Sequence, residues 1–464
     1  MKYIYMVTVV IFIGGCSIHP DALQSSFEPP KEFSLATSNS SNISKIWWQN
    51  FDAPTLNSLM EQALENNPDI LIAYENIVQA RLQLGISEDA YLPQISASGN
   101  TGGSQTEASG SDARTSRSTS ATLRISYEID LWGKIAANNE QAQARFNATK
   151  HDTDAAILSL YASVAQSYFS LLSTNERLKI AKDNLNISSQ LMQIVEAKYK
   201  SGSVSLLDVS RQKSSLLSQQ ANVDSLILQA AQAKNALAVL TGSAPQGFDT
   251  VLDSFWDLSI PTVEAGLPSE LLLNRPDIAH AKANLEASNA AIKSASADRF
   301  PSFSLSGSGG LSSDALLSFK DPTSILSLVL NAAYTIFDGG RLNDLTDAEI
   351  SKAKSAVQSY NKAILTALQE SDDALLNVAH QTSQETLQKQ IAEESLRSLD
   401  IASIQYRHGS ADLTTLLDAQ NKYFSSRDSL AVQRLNHLNA VVTLYKVLGG
   451  GWNETGLLIG RQDF

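Results

Sequence analysis

Two periods of apolar residues alternate along this chain. Long stretches place them at helical spacing, and two short stretches place them at every second position. Pro68 opens a helical pattern that stops at Pro93, and Pro276 to Pro301 does the same. Proline suits the first turn of a helix and disrupts its interior, so both pairs read as brackets. Beyond each bracket the period falls to two. Ile95, Ala97 and Gly99 alternate with Ser96, Ser98 and Asn100, and Phe303, Leu305 and Gly307 alternate with Ser304, Ser306 and Ser308. A polar loop follows, including 105–118, and then a second alternating run. There Leu123, Ile125, Tyr127 and Ile129 oppose Arg124, Ser126, Glu128 and Asp130. In the later run Leu326, Leu328, Leu330, Ala332, Tyr334 and Ile336 form the apolar face. Each half therefore predicts one β-hairpin with an apolar and a polar side.

The remaining segments predict helices. No proline interrupts 133–200 or 341–407, and Ile157, Val164, Leu171, Leu178, Leu185, Met192 and Tyr199 fall at steps of seven. A sustained seven-residue repeat calls for left-handed supercoiled packing. At 1.5 Å per residue, about 67 residues span roughly 100 Å. Leu216, Val223, Ala230 and Leu237 continue the rhythm over a helix at about 205–240, as do Leu417, Phe424, Ala431, Leu438 and Tyr445 in its counterpart. The two shorter helices of a half nearly match one long helix in summed length. The expectation is that they stack end to end and run antiparallel to it, as a rod with hairpins at one end and glycine turns at the other.

These elements occur twice, about 208 residues apart. Asn67-Pro68-Asp69-Ile70 returns as Arg275-Pro276-Asp277-Ile278, Tyr199-x-x-Gly202-Ser203 as Tyr406-x-x-Gly409-Ser410, and Val239-Leu240 as Val447-Leu448. The period is far too long for a solenoid unit, so it marks one fused duplication. A hairpin resting its apolar side on a globular core is the commoner use of alternation. Here no other strand-rich region completes a sheet. Four strands cannot close a membrane barrel alone, and open edges are not tolerated in lipid. Strands that span must therefore be pooled from several chains.

Charge and the N-terminus narrow the setting. A net charge of −13 argues against nucleic acid as a partner. Lys2, the apolar run Tyr3 to Ile13 and Ile13-Gly14-Gly15-Cys16 read as a signal segment ending in a sequence that resembles a bacterial lipobox. The run is too short to span a bilayer. The only cysteine, Cys16, sits where lipid attachment needs it, and Ser17 after it resembles the pattern of outer-membrane sorting. No later run of uninterrupted apolar residues predicts a spanning helix. The division expected is a signal peptide at 1–15, a lipid-anchored segment at 16–53, a first repeat at 54–249 with its hairpin at 94–131, a linker at 250–270, a second repeat at 271–451 with its hairpin at 302–338, and a tail at 452–464. The segment before 53, the linker and the tail are expected to form a belt.

The lipobox at Cys16, Arg275-Pro276-Asp277-Ile278, the run Tyr127-Glu128-Ile129-Asp130-Leu131-Trp132-Gly133-Lys134 and the run Leu416-Leu417-Asp418-Ala419-Gln420 carry a resemblance. The chain resembles the TolC-like outer-membrane efflux factors and, among them, the OprM-type lipoproteins, from Cys16 to about Gly450. The resemblance implies a mainly α fold with a small β part: a long antiparallel α-helical barrel, plus a transmembrane β-barrel formed by a trimer with four strands per chain. It implies an exit duct in the outer membrane for small molecules, joined to a periplasmic adaptor and an inner-membrane pump of the resistance-nodulation-division type. Lipid attached to Cys16 is the only non-protein group implied. A duct for type I protein secretion is the alternative within this architecture. A coiled-coil lipoprotein that never spans the membrane is the alternative outside it, and the amphipathic hairpins argue against that.

No catalytic signature is present. The six histidines show no metal-ligand spacing, and there is no nucleophile elbow or phosphate loop. The resemblance instead points to the turns between long and short helices. It implies periplasmic gate positions at Asp208, Tyr406 and Asp418, and adaptor contacts at Gly202, Ser203, Gly409 and Ser410. Without it, Asp208 and Asp418 read as solvated charges near helix starts, favoured by the dipole. Where the TolC pattern has an arginine two residues after the turn glycine, this chain has Ala411, and Thr415 replaces a further aspartate. Arg407 is the candidate substitute.

Overall fold

A computed structural model describes residues 21–28, 30, 33–34, 44–107, 109–110, 112–263, 268, 274–450 and 452. Cys16 and the tail beyond Trp452 lie outside the described residues. The elements run α1 (Pro54–Asn66), α2 (Pro68–Glu88), β1 (Gln94–Thr106), β2 (Arg114–Ile129), α3 (Lys134–Lys200), α4 (Leu206–Leu240), α5 (Pro276–Ala297), β3 (Ser302–Ser313), β4 (Thr323–Ala333), α6 (Arg341–Arg407) and α7 (Leu413–Val447). The bracketing prolines act as the sequence suggests. α2 ends at Glu88, a short 3-10 turn covers Asp89–Tyr91, and Leu92 is extended ahead of Pro93.

Two compact units emerge. Of the described residues, one holds those up to 26 and those in 77–149 and 281–361, and the other those in 27–76, 150–280 and 362–452. Each draws on both repeats, so the duplication and the compact units cut the chain differently. The first unit contains all four strands. They form one antiparallel sheet in the order β1-β2-β3-β4, with β2 joined to β3 across the two repeats.

Within the second unit, the joint between the short helices explains the Asn/Arg-Pro-Asp-Ile motif. Asn67 donates its side-chain amide to the Leu240 carbonyl at the end of α4 (2.9 Å), and its Oδ1 accepts from the Asp69 and Ile70 amides at the start of α2. One residue thus serves the unsatisfied carbonyl of one helix and the unsatisfied amides of the next. In the second half, Arg275 donates to the Val447 carbonyl at the end of α7 (2.8 Å). Gly242 follows α4 with φ +69, and a Cβ there would lie 2.2 Å from the Asn66 carbonyl oxygen. Gly449 follows α7 with φ +91, and a Cβ there would lie 1.8 Å from the Asn274 carbonyl oxygen. The end-to-end stacking expected of the short helices is realised at these joints. The joints also correct the repeat register. α2 and α5 start at Pro68 and Pro276, whereas α3 and α6 start at Lys134 and Arg341, so the second hairpin is one residue shorter. Leu240 therefore corresponds to Val447, and the sequence pairing of Val239-Leu240 with Val447-Leu448 is one residue out.

The seven-residue row on α3 also behaves differently from expectation. Ile157, Val164 and Leu171 are buried, Leu178, Leu185 and Met192 are half-buried, and Tyr199 is exposed. Ala181, Ser188 and Val195 take the buried face instead. Those three are themselves seven apart, so the packed face passes from one heptad row to another along the helix. The row Leu417, Phe424, Ala431, Leu438 and Tyr445 on the shorter α7 stays buried throughout. α3 also contains a stretch apolar enough to cross a membrane by composition, although polar residues interrupt it. Some 61% of that stretch is buried within the protein, as in a core helix.

Irregular segments are fastened onto the second unit. Trp47 stacks on Tyr445 (5.0 Å between rings), Trp48 lies 4.5 Å from Tyr161, and Phe51 lies 5.0 Å from Phe169. Asp253 accepts hydrogen bonds from Thr55 and from the Tyr168 hydroxyl (2.8 Å). Arg434 donates to the carbonyls of Phe255, Trp256 and Leu258 while pairing with Glu385 at 3.0 Å. Burial pushes the Glu385 carboxyl up, but His437 and Arg434 outweigh it and hold the group below its ordinary range. Asp372, on α6, accepts from both the amide and the hydroxyl of Ser34.

The joint yields a stability prediction. Gly202→Ala meets open space, so only its φ of +76 opposes the change, a cost of about 1–2 kcal/mol. Gly449→Ala adds a collision with backbone and should cost at least about twice as much. Thermal unfolding of both variants in detergent compares them, and equal losses would refute the close approach.

Candidate functional site

The first candidate surface is the sheet. Pairing places Ile95, Ile125, Gly307 and Leu328 in one row across all four strands, and Ala97, Leu123, Gly309 and Leu326 in another. Tyr127, Leu305 and Leu330 form a third row. The apolar sides of both hairpins thus share one face. On the opposite face Ser96, Arg124, Ser308 and Ser327 align, as do Glu128, Ser304 and Asn331. The apolar face is uncovered: Ile95 is 73% exposed, Leu326 92% and Leu328 75%. Gly307 lies where a Cβ would approach the Ile125 methyl to 2.8 Å, so its row is already filled by neighbours. Among the described residues β1 and β4 each pair on one side only, leaving two open backbone edges. Past the strand ends, Trp132 donates to the Pro301 carbonyl (2.6 Å) and packs 5.0 Å from Phe300, while Tyr334 and Phe337 are exposed.

The second candidate surface is the pair of helix turns in the other unit. Gly202 (φ +76) and Gly409 (φ +74) close α3 and α6 in the left-handed region. Ser203 N donates to the Lys198 carbonyl, and Ser410 N to the Gln405 carbonyl, which completes the same cap twice. The chain then re-enters a helix through a side-chain cap. Ser205 and Asp208 form a reciprocal capping box. Asp412 accepts from the Thr415 amide at 2.8 Å. Between the turns lies a shared core of Leu191, Val195, Leu399, Ala402, Tyr406, Leu413, Leu416 and Leu417.

Each sequence-predicted residue has a definite place here. The Asp208 carboxylate accepts from the amide and hydroxyl of Ser205, which together hold it below the usual carboxylate range. A depressed carboxylate contributes stability above its unfolded pKa, near 4, and loses it as pH falls through the folded value. At neutral pH the cap is intact. Tyr406 is buried and its hydroxyl has no partner among the described residues. Burial, and then the charge of Asp208, raise its pKa. Asp418 is exposed and makes no hydrogen bond or ion pair among the described residues.

Several contacts at the turns were not foreseen in the sequence. Lys198 lies 4.0 Å from the Tyr406 ring centroid and donates to the Tyr406 carbonyl at 3.3 Å. Arg211, on α4, donates to Thr414 on α7 at 2.9 Å. Arg407, the expected substitute for the missing arginine, instead bonds the Ser403 carbonyl of its own helix. The cross-link between the turns therefore starts from α4. Gln420 is buried with both amide atoms unpartnered among the described residues. The spacing Ser205-x-x-Asp208 was a legible capping signal. Nothing in the spacing announces Arg211, because its partner is 203 positions away.

The sequence matches the family described as outer membrane efflux protein over 59–243 and 267–450. It is 33% identical to the pyoverdine export outer membrane protein OpmQ of Pseudomonas aeruginosa, covering 100% of both chains. It is 31% identical to the cation efflux system protein CusC of Escherichia coli, covering 96% of this chain and 98% of that protein. Among solved structures, the outer-membrane channel OprN superposes with a TM-score of 0.86 at 29% identity, over 94% of this chain and 100% of that one.

Proposed function

The chain belongs to the outer membrane efflux protein family and is an outer-membrane efflux channel, and from that premise we propose that it works as a homotrimeric, lipid-anchored exit duct that catalyses no reaction. One observation supports assembly from several chains: a four-stranded sheet with an exposed apolar face and two open edges. In lipid those edges must be paired, and barrels close with even strand numbers of eight or more. Three copies supply twelve strands. The outer faces of two helices support the same assembly. Leu206, Leu217, Leu228 and Val239 on α4 are all about 60% exposed at steps of eleven, and Leu365, Leu376 and Leu387 on α6 repeat the spacing.

The partners proposed are a periplasmic adaptor, received at the Gly202-Ser203 and Gly409-Ser410 turns, and an inner-membrane pump of the resistance-nodulation-division type. OpmQ and CusC are named for pyoverdine export and cation efflux, which supports small-molecule export over protein secretion. The gate is proposed at the turn cluster. Arg211 and Thr414 latch α4 to α7, Tyr406 and Asp208 lie beside them, and three copies of the unpaired Asp418 form an acidic ring. Like charges in a narrow ring repel one another and attract cations.

In detergent the protein should run as a trimer, with lipid-phase labels reaching Ile95 and Leu328. A stable monomer with those positions unlabelled would refute the channel assembly. Cys16→Ser should abolish incorporation of a fatty-acid analogue, and unchanged labelling would exclude the anchor. Asp418→Asn should lower cation preference in planar bilayers and weaken block by multivalent cations, with trimer stability little changed. The same change at Asp224, exposed on α4, is the control. Wild-type selectivity and block in Asp418→Asn would leave Asp418 a solvated helix charge.

A further inference from the structure

A cavity of about 440 Å³ lies where the N-terminal segment, α1, α2 and α3 meet, within the second unit and separate from both surfaces above. Its size falls in the range of small-ligand sites. Aromatic rings supply one side. Trp48, Tyr74 and Tyr161 line it, each less than a tenth exposed, with the Trp48 and Tyr161 rings 4.5 Å apart and tilted by 48°. Rings fixed by packing lose little rotamer freedom on binding.

Further lining comes from one stripe of α1. Asn57, Glu61 and Glu65 follow at steps of four, so they share a helix face. The Asn57 side-chain oxygen is buried and accepts no hydrogen bond among the described residues. Among the described residues neither Glu61 nor Glu65 has a hydrogen bond or ion pair, and no lysine or arginine lines the cavity. An unsatisfied acceptor, two uncompensated carboxylates and aromatic rings lining one cavity form a set with one missing member.

We propose that this cavity binds a small organic cation with an apolar body: an ammonium whose charge lies between the carboxylates and the aromatic faces, and whose N–H donates to Asn57. Aromatic faces attract such a cation directly, and the carboxylates raise its local concentration. Neutral and anionic molecules of the same shape gain only the apolar contact. The site is independent of the gate, so it stands or falls apart from the channel reading.

The probe is benzyldimethylammonium, with isobutylbenzene as its uncharged isostere. The protein is the full chain in detergent, read by calorimetry and tryptophan fluorescence. Saturable binding of the ammonium in the millimolar range or tighter is expected, at least about tenfold stronger than the isostere. The double variant Glu61→Gln/Glu65→Gln changes only exposed side chains. It should weaken the ammonium about tenfold, leave the isostere unchanged and leave bilayer conductance at wild-type values. Trp48→Phe should remove the fluorescence response. Equal binding of the two probes, undiminished binding in the double variant, or no saturable binding would each overturn the proposal. The double variant alone decides if Trp48→Phe does not fold.

Discussion

The fold depends on two places where a helix end meets the backbone that opens the next helix too closely for any side chain. At Gly242 and Gly449 a Cβ would lie inside the contact distance of a carbonyl oxygen, and both backbones need φ above zero. Only glycine meets both demands. The approach lets a single side chain, Asn67 or Arg275, reach the last carbonyl of the preceding helix. Helix ends leave such groups without intrahelical partners. Joined in this way, a 35-residue helix and a shorter one meet head to tail beside a 67-residue helix, and the ends at the joint are satisfied within the protein.

Much of this was legible because the signals are local. The bounds of the long helices follow from proline, glycine and period, and they fall within a residue or two of expectation at Lys134–Lys200 and Arg341–Arg407. The hairpins were legible because alternation survives in every strand. The seam of α3 was not. Its heptad row marks a stripe, but whether that stripe stays on the packed face depends on how far the helix supercoils. Ala181 and Ser188, too small to stand out in the sequence, occupy the seam instead. The Arg211–Thr414 latch and the fastening of 243–263 by Arg434 were invisible for a related reason. Each joins residues that only tertiary structure brings together.

Period also separates inner from outer faces. On α4 Val223 and Leu237 are buried at a multiple of seven residues, while Leu206, Leu217, Leu228 and Val239 are exposed at steps of eleven. A seven-residue row favours left-handed winding and an eleven-residue row a slight right-handed drift. One helix cannot follow both over its full length. A straight course between them keeps both rows usable, so α4 can pack into its own chain on one side and receive a neighbour on the other. This compromise suits a wall built by repeating a helix pair around an axis, the assembly proposed for this channel.

The duplication conserves the joint but not its chemistry, and the difference makes the halves mechanically unequal. Asn67 is neutral, and its bonds end on backbone within the joint itself. Arg275 is buried and binds the Val447 carbonyl, Asp277 and, at 2.7 Å, Glu370 on α6. Burial works against its charge, but Asp277 and Glu370 outweigh burial and raise its pKa. A guanidinium so placed stays charged at any physiological pH, and removing one partner of a buried charge is more damaging than never having paired it. Sliding α6 along α7 must therefore break the Glu370 contact, whereas the same slide of α3 along α4 breaks none of the bonds that Asn67 makes. The second half resists shear at its joint through a charged tie to its long helix, and at the Asn67 joint the first half has no counterpart to that tie.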